Sequence, residues 1–307
     1  MKKILFSTAM VIATLTSYCQ INCNTATIYA NTSSNEVCFE LLESDKVRAC
    51  FSNNYPGAAY TTFTFGNGAA AAAVTAEDNE FYICANPQPN TYFTKILTSS
   101  TAGSTNNPLT CPGYNFGVMA NGVYISPSAG IYYQDNGADV EDWELEALTS
   151  TLGWDSNDAH KQTTGRYHYH GNPSQYASNL GYDGSTHSGI IGWAADGYPI
   201  YYKYGYSDPN DNTSSIVELT SCWGVKSGAR SGSGFAINPS GDYDGTYKAD
   251  YQYPAIGVLT ANCALDSANG RWAITPEYPA GTYHYVITSA WPYTPRYFKG
   301  TADNSFR

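Results

Sequence analysis

Gly165-Arg-Tyr-His-Tyr-His-Gly171 is the stretch on which the reading of the whole chain turns. In a strand, successive side chains face opposite ways, so His168 and His170 share one face and Tyr167 and Tyr169 the other. Two imidazoles so placed stand about 7 Å apart at Cβ. One divalent ion fits between them at about 2.0–2.1 Å from each nitrogen. The tyrosines can then pack into a core and hold the strand rigid. The spacing predicts a strand, a ligand pair and a buried aromatic face in one short segment.

The other three histidines lie in the same half of the chain. His160 ends the short polar turn Asp155-Ser-Asn-Asp-Ala-His160. His187 lies in Ser185-Thr-His-Ser-Gly-Ile-Ile-Gly-Trp-Ala-Ala-Asp196, where a polar start leads into an apolar strand. His284 sits in a second Tyr-His-Tyr, on the strand Gly281-Thr-Tyr-His-Tyr-Val-Ile-Thr288. Three or four of the five histidines are expected to converge, with His168 and His170 as ligands joined by His160 or His187. Imidazole is largely neutral at pH 7 and coordinates without a large proton cost. Asp183, Asp196, Glu277 and His284 are candidates to ligate, to orient an imidazole or to serve as a general base. The donor set suits copper or zinc, and an open coordination position would allow hydrolysis or one-electron chemistry. Asp242, Asp244 and Asp250, with Gly241 and Gly245, form an acidic loop for which calcium is the candidate ion. Its spacing is shorter than an EF-hand loop and lacks the closing Glu, so a solvated turn explains it too.

Composition places this chemistry outside the cytoplasm. Only 13% of the 307 residues are charged, about half the usual fraction. Gly and Tyr number 28 each, and aromatics reach 15%, which excludes a disordered chain. The net charge of −11 argues against nucleic acid or an anionic membrane as a partner. Residues 1–19 read as a signal peptide: Lys2 and Lys3 precede the mostly apolar Ile4–Leu15, which is too short to span a bilayer. Bulky Tyr18 argues against a lipoprotein acylated on Cys19. The mature protein is therefore expected to be secreted, periplasmic or on the cell surface. Its expected partners are a small molecule, a polysaccharide or a peptide. Eight cysteines without a Cys-x-x-Cys pair suggest disulfides rather than a thiolate metal site. Cys222 and Cys263, far from the rest, are the expected pair.

The fold class expected is mainly β or α+β, in two parts. Residues 20–110 form a β-rich module, with strands at Thr25-Ala-Thr-Ile-Tyr29, Tyr60-Thr-Thr-Phe-Thr-Phe65 and Glu80-Phe-Tyr-Ile-Cys84. Ala69–Ala73 reads as loop, and Thr98–Pro108 as a linker. Residues 111–307 hold every His, in short strands and long loops. Two helices are expected: Glu141–Leu148, and a segment opened by Asn172-Pro173 and running through Leu180. A carbohydrate-binding or adhesive module with structural histidines is the competing functional reading, because exposed Tyr and Trp stack on sugars. No nucleophile elbow, P-loop or dinucleotide fingerprint is present.

From Gly117 to Gly300 the chain resembles the YHYH domain family. The matching segments, in order, begin with Gly117-Val-Met-Ala-Asn-Gly-Val123, Asp155-Ser-Asn-Asp-Ala-His-Lys-Gln-Thr-Thr-Gly165 and Tyr167-His-Tyr-His-Gly171. Then come His187-Ser-Gly-Ile-Ile-Gly-Trp-Ala-Ala-Asp-Gly-Tyr-Pro-Ile-Tyr201, Tyr243-Asp-Gly-Thr-Tyr247 and Asn269-Gly-Arg271. Thr275-Pro-Glu-Tyr-Pro279, Gly281-Thr-Tyr-His284 and Pro295-Arg-Tyr-Phe-Lys-Gly300 close the series. The resemblance implies an architecture and a set of motif positions, and no reaction. The family pattern has Cys near Ala268 and at Tyr297; this chain lacks both, as it would if the family's cross-link had been replaced.

Overall fold

The structure, a computed structural model, describes residues 37–42, 47–52, 74, 77–97, 110–150, 152–162, 164–254 and 264–307. The expected signal peptide, the strands at 25–29 and 60–65, the loop at 69–73 and the linker at 98–108 lie outside these residues. So does Cys263, the expected partner of Cys222.

The fold is mainly β, with 32% strand. Its centre is one eight-stranded sheet. In chain order its strands are β1 (Gly117–Met119), β2 (Tyr124–Ile125), β3 (Ala159–Lys161) and β4 (Tyr167–Tyr169). They continue with β5 (Ile190–Ala194), β6 (Pro199–Tyr201), β7 (Gly270–Ala273) and β8 (Thr282–Val286). Across the sheet the order is β3-β4-β2-β1-β5-β6-β8-β7. The β4–β2 and β6–β8 pairs are parallel, and the rest are antiparallel. The sheet curls into a half-barrel.

The middle strand shows why. Every residue of β5, Ile190-Ile-Gly-Trp-Ala194, is buried, so both faces of the sheet are covered here. Gly192 is needed for the close approach of β1. A Cβ there would stand 2.6 Å from the Val118 carbonyl oxygen and 2.9 Å from Met119 Cα. A register shift in the β5–β6 pairing falls between Ile190 and Gly192, where a bulge bends the strand. Phe81 and Ile83, from the strand Asn79–Cys84, and Ile96 share the core cluster of the large sheet.

Much of that core is tyrosine. Tyr167, Tyr169, Tyr201, Tyr283 and Tyr285 are fully buried. A buried hydroxyl must find a partner, and here the chain supplies one to each. Tyr285 donates to Asp196 Oδ2 at 2.6 Å, Tyr167 to Asp155 Oδ2 at 2.6 Å, and Tyr201 to Glu277 Oε2 at 2.8 Å. Tyr283 donates to Asp266 Oδ2 at 3.0 Å, and Tyr169 accepts from Asn121 Nδ2 at 2.8 Å. Asp196 also accepts from the backbone N–H groups of Gly300 and Lys299, tying the C-terminal segment to the sheet.

Two expectations need correction. Glu141–Leu148 is not a helix. Ala138–Glu144 is a strand paired with Tyr132–Asp135, and a single 3-10 turn follows at Ala147–Thr149. The deciding signal is Asn136-Gly137, both at positive φ (49° and 82°), a two-residue turn that closes a hairpin. Trp143 is buried at Tyr247 and Phe235, and its indole N–H donates to the Ile237 carbonyl. The acidic loop is likewise not laid out for calcium. Arg230 forks onto both oxygens of Asp250 at 2.9 Å and pairs with Asp244, so a guanidinium already occupies those carboxylates. The second helix is present as α1 (Ser174–Asn179), with Pro173 at the cap and Leu180 closing it.

Removing the Tyr285 hydroxyl tests the tyrosine–carboxylate lattice. Tyr285→Phe is expected to lower stability by about 1.5–3 kcal/mol, as for the loss of a hydrogen bond to a charged group. Urea unfolding measures it, and Tyr92→Phe on exposed Tyr92 should change nothing.

Candidate metal centre

The hairpin of β3 and β4 builds the site. Gly165, at positive φ, donates to the Gln162 carbonyl and closes the connection between the strands. The Asp155 carboxylate accepts from the backbone N–H groups of Asn157 and Ala159 at 2.8 and 3.1 Å, which turns the chain into β3. Its other oxygen takes the Tyr167 hydroxyl, so one buried carboxylate clamps both strands. Burial raises its pKa, against the pull of that hydroxyl. His160 therefore lies on a strand rather than in the polar turn expected, directly opposite His168. His170 follows β4, its backbone N–H donating to the Asp158 carbonyl at 2.9 Å. A Cβ at Gly171 would come within 2.6 Å of Asp158 Cβ, so only glycine permits this crossing.

The three imidazoles meet edge on. His160 Nε2 lies 3.2 Å from His168 Nε2 and 3.1 Å from His170 Nε2. Three nitrogens bound at about 2.05 Å to one ion would be spaced about 3.3 Å apart at tetrahedral angles and about 2.9 Å at right angles. The observed spacings fall between these values. All three residues are buried, and together they form a group able to hold a metal ion.

The far sides of two rings set their tautomers, while Nδ1 of His170 is buried without a partner. His168 Nδ1 lies 3.3 Å from the Arg166 carbonyl, an acceptor only, so Nδ1 carries the proton and Nε2 presents a lone pair inward. A backbone hydrogen bond at Leu152 does the same for the His160 ring, favouring its protonated edge there. Around the triad stand aromatic walls. Tyr124 stacks on His168 with ring centres 5.2 Å apart and planes 5° from parallel. Trp154 lies 5.0 Å from His160 and 5.2 Å from His170. Arg166 sits over the outer face of Tyr124 and pairs with Glu77 at 2.8 Å.

Burial keeps the triad neutral. It pushes His160 down to about 4 and His168 down to about 3, the latter helped by repulsion from His160. His170 is held well below its ordinary value by burial, then by its two histidine neighbours. Lys248 and Arg296 add to this repulsion, and are themselves paired with Glu144 at 2.8 Å and Glu146 at 3.0 Å. Neutral imidazole is the ligating form, so the site is poised to coordinate at pH 7.

The other candidates lie apart from this triad. His187 and His284 gather around Arg271, and His187 Nδ1 donates to the Ser188 carbonyl at 2.6 Å. Glu277 receives the Tyr201 hydroxyl, and Asp196 is engaged with Tyr285, Lys299 and Gly300. Asp183 accepts from the Ser185 backbone at the surface. Sequence reading passed over Tyr124, Trp154 and the Asp155 clamp, although Asp155-Ser-Asn-Asp is itself a turn signal.

A curled β sheet carrying a buried three-histidine cluster on one hairpin defines a class of candidate metal-binding protein. The chain belongs to the YHYH protein family, matching it over residues 80–300. No curated protein and no solved structure matches the chain.

The pKa shifts carry a sign. In the unfolded chain His168 protonates near pH 6.5, while in the folded protein it stays neutral to about 3. Between those values the unfolded state binds the extra proton, so this group's contribution to stability falls as the pH falls. In chelator-treated protein, the urea midpoint of the wild type should drop more steeply from pH 6.5 to pH 5 than that of His168→Gln. Parallel curves would show that His168 titrates normally in the fold.

Proposed function

We propose that this is a secreted metal-binding protein in which His160, His168 and His170 hold one zinc or copper ion through their Nε2 atoms. One observation carries the reading: in a buried group of three imidazoles, His160 Nε2 lies 3.1–3.2 Å from the Nε2 atoms of His168 and His170, while hydrogen bonding at the far side of His168 turns its lone pair inward. A lone pair so placed is met by a cation or by the N–H of a neighbouring ring, and a single ion meets all three rings at once. The all-imidazole donor set favours zinc or copper over calcium or magnesium, which prefer oxygen. When bound, such an ion supplies a Lewis acid or, for copper, a one-electron centre.

The chain's own part is to fix the three rings. Asp155 sets the hairpin register, Arg166 and Leu152 set the tautomers, and Tyr124 and Trp154 restrict the water that reaches the ligands. Lys2, Lys3 and the apolar Ile4–Leu15 support export. No described helix is long and apolar enough to cross a membrane.

Elemental analysis of untagged protein should find about one equivalent of zinc or copper, absent from a His168→Ala/His170→Ala variant. Adding back the ion at about 100 times its Kd should stabilise the stripped wild type by about 2.7 kcal/mol. Protein that carries no metal, and whose unfolding ignores both ions, would make the triad structural and leave the glycan-binding reading to be tested next.

A further inference from the structure

Three arginines among the described residues are almost wholly buried: Arg230 at 4% exposure, Arg271 at 5% and Arg296 at 6%. Two of them follow the usual rule that a buried charge is paired. Arg230 forks onto Asp250, and Arg296 donates to both oxygens of Glu146. Arg271 breaks the rule. Among the described residues, none of its three guanidinium nitrogens has a hydrogen-bond partner, and it forms no ion pair.

Its neighbours are as unusual. Arg271 on β7 stands directly opposite His284 on β8, and no described side chain meets either ring nitrogen of His284. Nε2 of His187 is likewise buried without a partner. The strand Tyr204–Tyr206 passes over this group with Gly205 at its middle. A Cβ on Gly205 would lie 2.8 Å from Arg271 Nη2 and 3.4 Å from His187 Nε2. Both nitrogens lie against Gly205, which puts no side chain over them.

The charges define what fits there. Burial lowers both histidines below their ordinary value, His284 to about 3, so both are neutral at pH 7. Burial also lowers Arg271, to about 10, which leaves it charged. The group thus carries one net positive charge, which repels a metal cation and matches a monoanion. Glu277, the carboxylate that acts on His187, holds the Tyr201 hydroxyl and leaves Arg271 unpaired. The guanidinium fork suits a carboxylate. His187 adds a second requirement. Its Nδ1–H is spent on the Ser188 carbonyl, so Nε2 can only accept. A bare carboxylate gives it nothing, whereas a hydroxyl next to the carboxylate does.

We propose that Arg271, His187 and His284 form a binding site for a small hydroxycarboxylate. The carboxylate takes the place that Asp250 fills for Arg230, and the ligand hydroxyl donates to His187 Nε2. This site is separate from the histidine triad and does not depend on a metal there.

The test uses the intact protein with glycolate, acetate and inorganic phosphate as probes, followed by thermal unfolding and by the ¹⁵N signals of the His187 and His284 rings. Glycolate should raise the melting temperature and shift both rings, acetate should do so more weakly, and phosphate least. Arg271→Met should weaken glycolate at least about tenfold, the share of a charge-assisted bidentate pair. Gly205→Ala, which keeps the arginine, should weaken it too. After dialysis Arg271→Met should be at least as stable as the wild type, because an unpaired buried cation has been removed. Stabilisation by none of the probes, phosphate outranking glycolate, or a clear loss of stability in dialysed Arg271→Met would each overturn the assignment.

Discussion

A polar group taken out of water must be met by another, and this chain buries many with few charges to meet them. Its large sheet is lined with tyrosines whose hydroxyls reach inward. Asp155, Asp196, Asp266 and Glu277 each receive one of these hydroxyls. Of these carboxylates, Asp196 and Asp155 take further backbone donors: Asp196 holds the C-terminal chain, and Asp155 folds the hairpin that carries the metal candidate. The sparse acidic residues are thus junctions of the fold. Two of the polar groups that the lattice leaves open, the histidine triad and Arg271, are where ligands are proposed to bind.

The alternation Tyr-His-Tyr-His carried the strand, the inward tyrosines and the shared face of His168 and His170, because a period of two survives any tertiary context. It carried nothing about which third imidazole would join them. That depends on hairpin register, set by Asp155 and Gly165, and the register places His160 opposite His168. His187 had an equal claim in the sequence and lies instead beside Arg271, since pairing across the sheet is not encoded in linear spacing. The misread helix at 141–148 has a similar cause. Its apolar residues fit a helical face loosely, while the nearby Asn136-Gly137 turn committed the segment to a hairpin. Arg271 entered the sequence reading only as the end of the matched segment Asn269-Gly-Arg271, because a lone arginine stands out only once it is buried without a carboxylate.

Proximity alone does not decide what a cluster of imidazoles does. At the triad, hydrogen bonding at the outer edge leaves a lone pair inward, and the neighbouring cations Lys248 and Arg296 are neutralised by Glu144 and Glu146. At the second cluster no described residue pairs with the neighbouring cation. The five histidines thus divide into a group suited to a cation and a pair suited to an anion, and the difference lies in what stands behind each ring.

The position of β3 in the sheet has a further consequence. It is three residues long and lies at the end of the strand order, paired on one side only. A terminal strand is held by one ladder where an interior strand is held by two. His160 rides on that strand, whereas His168 and His170 belong to the strand held between two neighbours or to its immediate continuation. The three positions are therefore kinetically unequal. An opening at the sheet's edge would reach His160 first and leave His168 and His170 as a two-point seat, and the burial of β3 and the Asp155 clamp are what hold that edge shut.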